Sequence, residues 1–218
     1  MKAVIFDLDG TLLNTIDTIA YYGNKALSDF GFPTFPVDRY KYFAGNGAVK
    51  LIRRALEATG KYTEEDFDKV FAYYNEIYNA DSLYLTRPYD GIVEMLKKLK
   101  EAGIKTGVIS NKPDFATVDV VKKVLGEELI DLCHGARDCF PLKPDPASTL
   151  DILGELKGDK EHSAFVGDTS VDIETGKAAS LHTIGVKWGF RTEEELKGAG
   201  AEFIISNPKE LYDIIINL

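Results

Sequence analysis

Short apolar, β-branched runs alternate with helical patterns through most of this chain, and that rhythm constrains its fold more than any other feature. Ala3 to Phe6 is the first run. A helical pattern from Asp90 to Ala102, a run from Lys105 to Ile109 and a helical pattern from Asp114 to Leu125 follow. Later runs are Ser163 to Val166, His182 to Val186 and Glu202 to Ile205, with helices after Thr169, Thr192 and Asn207. Strands and helices in this order specify a parallel sheet covered by helices. In such a sheet, ligands bind beyond the carboxyl ends of the strands.

The rhythm is interrupted between Thr15 and Tyr84. That segment holds 15 of the 24 aromatic residues, and its charge of −2 accounts for little of the net −9 of the 218-residue chain. Ile16, Ile19, Ala20, Ala26, Leu27 and Phe30 recur at helical spacing, as do Phe67, Val70, Phe71, Tyr74, Ile77 and Tyr78. Pro33 and Pro36 punctuate the end of the first pattern, and Thr63 three residues before Asp66 is a capping-box-like start for the second. A further helix from about Ala48 to Ala58 is expected between them. The expected architecture is α/β: a Rossmann-like doubly wound parallel sheet formed by residues 1–14 and 85–218, with residues 15–84 inserted as an α-helical domain.

Composition narrows the function classes. The acidic balance disfavours nucleic acid as a partner, because phosphate neutralisation needs clustered Lys and Arg. The longest apolar runs are strand-length, too short to span a membrane. Met1 leads directly into Lys2 and the first strand with no secretory signal, so a cytoplasmic location is expected. Cys133 and Cys139, with only His134 beside them, make neither a disulfide framework nor a four-ligand zinc set.

Asp7-Leu8-Asp9-Gly10-Thr11-Leu12 follows immediately on the first strand, and Gly10 lets the chain turn there. Taken alone, a D-x-D of this kind reads better as a turn with solvated acids than as a reactive centre, and the rest of the chain reverses that preference. Gly167-Asp168-Thr169-Ser170-Val171-Asp172 ends another apolar strand, and the four-residue spacing puts Asp168 and Asp172 on one face of a helix beginning there. Four carboxylates converging at strand ends repel one another unless a hard cation sits among them, and Mg²⁺ suits oxygen ligands and a phosphate. Ser110-Asn111-Lys112-Pro113 ends a third strand before a helix, where a hydroxyl and backbone N–H groups can face an anion. Lys143 lies in the proline-stiffened Lys143-Pro144-Asp145-Pro146 loop and could neutralise carboxylate and phosphate. Singly, Lys112 and Lys143 also read as surface charges.

Together and in this order, the four segments resemble the haloacid dehalogenase-like hydrolase superfamily, over essentially the whole chain. The helical insertion after the first motif is similar to the cap of the subgroup that includes phosphoglycolate phosphatases, phosphosugar mutases, phosphonate hydrolases and dehalogenases. The resemblance implies that Asp7 is a nucleophile forming an aspartyl-phosphate. It implies that Asp9 protonates the leaving alcohol, then activates water, and binds Mg²⁺ through its backbone carbonyl. Asp7 and Asp168 would ligate the metal by their side chains. Thr11, Ser110, Asn111 and Lys143 would contact the substrate, Lys143 also offsetting charge on Asp7. Asp172 would act behind these residues, on the metal through water or on the lysine, or would simply cap its helix.

The same resemblance ranks the chemistries. Dehalogenases of this superfamily resemble D-x-Y rather than the D-x-D present here. Phosphonate hydrolysis needs a cap lysine, and nothing marks Lys25, Lys41 or Lys50 as desolvated. A phosphosugar mutase of the β-phosphoglucomutase type would form the same phosphoaspartate and remains the alternative. Phe43-Ala44-Gly45-Asn46-Gly47 looks like the glycine-bearing cap loop of phosphoglycolate phosphatases, although it also reads as an ordinary turn. Arg39, Lys41, Lys50, Arg53 and Arg54 around it could meet an anionic substrate or form solvated helix faces. A non-catalytic phosphoryl-binding or receiver-type signalling domain fits less well, since its phosphoacceptor aspartate ends a mid-chain strand in a shorter domain. The expected partner is a small phosphorylated metabolite, with 2-phosphoglycolate the leading candidate; monomer and homodimer are both compatible with the sequence.

Overall fold

Ala3–Phe6 (β1) is buried at all four positions, as a strand must be when helices cover both faces of its sheet. The computed structural model describes residues 2–218. They form two units, one comprising the chain up to Asn14 with Arg87–Leu218, the other Thr15–Thr86.

In the first unit, β1 is followed by two short strands, Leu13–Asn14 (β2) and Arg87–Pro88 (β3), which pair antiparallel where the chain leaves and re-enters the unit. The remaining strands are Lys105–Pro113 (β4), Leu132–Ala136 (β5), Ala164–Gly167 (β6), His182–Val186 (β7) and Phe203–Ile205 (β8). They join β1 in a six-stranded parallel sheet of order β5-β4-β1-β6-β7-β8. After β1 the chain builds outward through β4 and β5, then returns to β1's other side for β6, β7 and β8. The strand order therefore reverses at β1 and β6, which opens a crevice at their carboxyl ends. Phe6 pairs with both Val108 and Val166, so the residues that follow β1 and β6 emerge side by side.

Within the second unit the helices are Ile16–Asp29 (α1), Val37–Phe43 (α2), Ala48–Thr59 (α3) and Glu64–Ala80 (α4). The Thr63–Asp66 capping box at the start of α4 forms in both directions. α2 is absent from the sequence reading because seven residues are too few for periodicity to register. Its support is tertiary: fully buried Tyr40 donates its hydroxyl to Asn24 Oδ1 at 2.9 Å, and both amide atoms of Asn24 bond the backbone of Phe35 at 2.8 Å. Six of the aromatic residues of this segment, Tyr22, Tyr40, Phe43, Phe67, Tyr74 and Tyr78, are buried, with Tyr22 edge-on to Tyr78 and Tyr40 edge-on to Phe43.

The sheet unit carries six more helices: Ile92–Glu101 (α5), Asp114–Leu125 (α6), Ala147–Glu155 (α7), Ser170–Ala178 (α8), Glu193–Ala199 (α9) and Lys209–Asn217 (α10). α7 places Ile152 and Leu153 in an apolar cluster with Ala3, Ile5, Ile109 and Phe165, which fixes one face of the sheet beneath the crevice. One strand departs from expectation. β4 does not end at Ile109 but continues to Pro113, because Pro113 pairs with Ala136 of β5 beyond a register shift. Ser110, Asn111 and Lys112 consequently lie in the irregular stretch of β4 where that shift falls.

Candidate active site

The site begins where β1 stops. Asp7 still donates its backbone N–H to Val166 O at 2.9 Å, so its position is tied to β6. The chain then turns tightly, with Leu8 O accepting from the N–H groups of Thr11, Leu12 and Leu13 at 3.3, 3.1 and 3.0 Å. Gly10 takes φ +95° in this turn, and a Cβ there would lie 2.4 Å from Asp168 Oδ2. Glycine is therefore required both for the turn and for the approach of Asp168.

Asp168 follows β6 and is wholly buried. Thr11 Oγ1 donates to its Oδ1 at 2.9 Å and the Phe190 N–H to its Oδ2 at 2.7 Å. The Thr11 hydroxyl thus orients a carboxylate. Asp172, in the first turn of α8, accepts from Thr169 N–H and Thr169 Oγ1 at 3.0 and 2.8 Å on Oδ2, while its Oδ1 receives Lys143 Nζ at 2.7 Å. Helix cap and lysine partner are one residue. Lys143 also reaches Asp7 Oδ1 at 2.6 Å, with its side chain 4% exposed. Its loop, entered through a cis Lys143–Pro144 bond, is gripped by Asn111: Lys143 N–H donates to Asn111 Oδ1 at 2.8 Å, and Asn111 Nδ2 to Lys143 O at 3.2 Å.

Oxygen atoms of Asp7, Asp168 and Asp172 lie within 4.8 Å of one another. Burial holds the Asp7 carboxyl well above the usual carboxylate range, helped by Asp172 and Asp168 and opposed by Lys143. Burial likewise pushes Asp168 up to about 7, with Asp172 adding to it. Burial also works against the Lys143 ammonium, but Asp172 and Asp7 outweigh it and raise that group. Three buried carboxylates around one ammonium form an oxygen-only donor set with an excess of negative charge, which fits a hard divalent cation.

This electrostatic imbalance sets the pH dependence of the metal-free protein. The folded state keeps the Asp168 proton to about pH 7, whereas the unfolded chain gives it up near 3.8. Asp168's contribution to stability is therefore full at low pH and is lost as pH rises through that interval. Thermal melts in EDTA should show wild type losing stability relative to Asp168→Asn between about pH 4 and 7. Wild type gaining stability relative to Asp168→Asn over that interval would instead mean that its hydrogen bonds outweigh its burial.

Asp9 stands apart from the cluster, its side chain 20% exposed, with Oδ1 3.4 Å from Lys112 Nζ. Ser110 Oγ accepts from the Lys112 N–H at 3.2 Å. The sequence reading left Lys112 open as a surface charge, yet its side chain is only 6% exposed. It also missed the segment after β7. There Trp188 Nε1 donates to Thr11 O at 2.9 Å, and a Cβ on Gly189 would lie 2.3 Å from Asp168 Cβ. The available signal was the chain's single Trp beside a Gly, just past a strand's carboxyl end.

Other candidate groups are engaged elsewhere. Arg53 forms a two-pronged pair with Glu64 at 2.8 and 3.1 Å, and Arg54 bonds Asn46 Oδ1 and Phe43 O within the glycine-bearing loop. A second convergence, His134 with Asp151 and Glu155, is paired off as His134–Glu155 at 3.0 Å and Arg137–Asp151 at 2.9 Å. Cys133 is a free thiol that burial, with Asp114, pushes up to about 12. Among the described residues, no helix is long and apolar enough to cross a membrane.

A parallel sheet whose switch point gathers three aspartates and a lysine, with a helical domain inserted after the first strand, has the build of a phosphoryl-transfer hydrolase. The chain belongs to the haloacid dehalogenase-like hydrolase family, which it matches over residues 4–186. Similar proteins include a phosphoglycolate phosphatase of Aquifex aeolicus, 31% identical over all of this chain and 98% of that one. Another is a phosphoglycolate phosphatase of Haemophilus influenzae, 30% identical over 98% of each. A crystal structure from Lactobacillus delbrueckii subsp. bulgaricus, provisionally assigned as a phosphoglycolate phosphatase, superposes with TM-score 0.93 at 28% identity, covering 98% of this chain and 97% of that one. The fold and the aspartate cluster make this chain an enzyme, a phosphoric monoester hydrolase of the helical-cap subgroup.

Proposed function

We propose that the enzyme hydrolyses 2-phosphoglycolate, with Mg²⁺ as its metal, through an aspartyl-phosphate on Asp7. The carrying observation is the Asp7 carboxylate at the carboxyl end of β1, 2.6 Å from Lys143 and within 4.8 Å of oxygens of Asp168 and Asp172. The names of the two curated relatives support the choice of substrate.

Asp7 Oδ attacks phosphorus in line, a P–O(Asp) bond forms and the P–O(ester) bond breaks. Asp9 gives its proton to the leaving alkoxide, which departs as glycolate. Asp9 then takes a proton from water, whose oxygen attacks the phosphoryl group and releases inorganic phosphate and free Asp7. Lys143, fixed by Asp172 and by the Asn111 grip on its backbone, offsets charge on Asp7 and on the transferring group. Ser110 contributes a hydroxyl to the phosphoryl oxygens, and Thr11 keeps Asp168 aligned. Mg²⁺ would be held by Asp7, Asp168 and the Asp9 carbonyl. When bound, it supplies the positive charge that keeps the carboxylates ionised and stabilises the phosphoryl oxygens.

Phosphate release from 2-phosphoglycolate, β-glucose 1-phosphate, nucleoside monophosphates and pyrophosphate tests this reading. The expected result is fastest release from 2-phosphoglycolate, lowered more than about 100-fold by EDTA and restored by Mg²⁺. A faster second substrate would replace 2-phosphoglycolate. Isomerised glucose phosphate without free phosphate would make the enzyme a mutase.

A further inference from the structure

The helical unit carries an exposed patch that its own core does not use. Tyr21, Leu85 and Val37 are 46%, 43% and 40% exposed, and with Ala20 they wall a groove of about 690 Å³ beside α1. Asp17 and Lys25 line the same groove. The Tyr21 ring is held by Tyr22, edge-on at 5.0 Å, and by Tyr84 at 4.9 Å. Single apolar residues on a surface need no explanation, but several converging on one hollow mark an interaction site. A fixed aromatic ring beside such a hollow is the kind of anchor that carries binding energy between proteins.

Charge placement selects the occupant. Asp17, Tyr21 and Lys25 follow one another at four-residue steps along one face of α1. Tyr21 is the midpoint, with an acid one step before it and a base one step after. A second α1 laid antiparallel about a two-fold axis beside Tyr21 brings Asp17 of each copy to Lys25 of the other, and Tyr21 to its counterpart. Each Tyr21 can then enter the groove of the other copy, so one surface supplies both knob and hollow. A parallel pairing would instead set acid against acid and base against base. Neither charge has to be unpaired for this contact: Lys25 also bonds Asp29 at 2.8 Å, and Asp17 has an interaction within its own chain. Net charge points to the same surface. Two chains of −9 repel each other, yet the inserted segment holds only −2 of that charge, so it is where two copies meet with least repulsion.

We propose that the enzyme forms a homodimer through α1 of its helical unit, with the two Tyr21 rings at the two-fold axis and an Asp17–Lys25 pair on either side. The groove is thus occupied by a second copy of this chain. The contact is independent of which phosphomonoester is hydrolysed, since none of these residues belongs to the aspartate cluster.

Sedimentation equilibrium of the full chain over about 0.1–100 µM reads the association directly. Wild type should dimerise within that range. Asp17→Lys and Lys25→Asp each turn both pairs from attraction to repulsion, and each should raise Kd by about tenfold. The double variant Asp17→Lys/Lys25→Asp exchanges the two charges and should bring Kd back to within about threefold of wild type. Tyr21→Arg places like charges at the axis and should leave only monomer. Thermal melts check that each variant is folded, and should Tyr21→Arg fail to fold, the charge exchange decides alone. Loss in both single variants with recovery in the double variant would uphold the proposal. A wild type that stays monomeric up to about 100 µM would overturn it. A dimer indifferent to the charge reversals would also overturn it and place the interface elsewhere, as would single variants that weaken the dimer with no recovery in the double variant.

Discussion

Replacing Asp7 with Asn should reduce phosphate release by on the order of 10⁵ or more, the scale seen when an enzyme loses its nucleophile. The amide is nearly isosteric with the carboxylate but cannot attack phosphorus. The protein should nevertheless stay folded. Burial and two neighbouring carboxylates already oppose ionisation of Asp7, so removing its charge relieves a crowded cluster. Lys143 keeps its 2.7 Å partner in Asp172. Phosphate assays paired with thermal melts in EDTA check both halves. More than about 1% residual turnover would remove Asp7 from the nucleophile's role.

Lys143→Met should have the opposite balance, with a large effect on stability as well as on rate. It leaves Asp7, Asp168 and Asp172 buried with no ammonium among them, and breaking a buried pair from one side costs about 3–5 kcal/mol. For a chain of this size that corresponds to a melting temperature lower by roughly 6–20 °C. The double variant Asp7→Asn/Lys143→Met should recover part of the loss, because the two residues are in direct contact and their effects cannot add. Calorimetry of the four proteins in EDTA gives the coupling directly. A Lys143→Met protein as stable as wild type would mean that solvent or protonation, rather than this lysine, balances the cluster.

What the sequence could reveal divides by the range of the interaction. Asp7 and Asp168 were visible because each ends an apolar run, and strand ends are marked by local pattern alone. The Asp172 spacing was equally local, four residues from Asp168 and three from its capping partner Thr169. The pairing that gives Asp172 its second task was not, since Lys143 lies 29 residues from it and 136 from Asp7. Lys112 was hidden for another reason. Its burial depends on β4 continuing past Ile109 to pair with β5, and β5 reads Leu-Cys-His-Gly-Ala, a half-polar segment with a glycine and little strand signal. The brace from Trp188 and Phe190 to the Thr11–Asp168 pair joins segments far apart in the chain and leaves no periodic trace.

The double engagement of Asp172 also limits what evolution or a designer can do at that position. An asparagine there could still accept from the Thr169 N–H and begin α8, but Lys143 would lose half of its counter-charge. A glutamate would keep the charge, yet the extra methylene would carry it out of reach of the helix cap, the lysine or both. Neither near-neighbour substitution preserves the two functions together. Position 172 is thus pinned by folding and by chemistry at once, and loss of either would register as loss of the other.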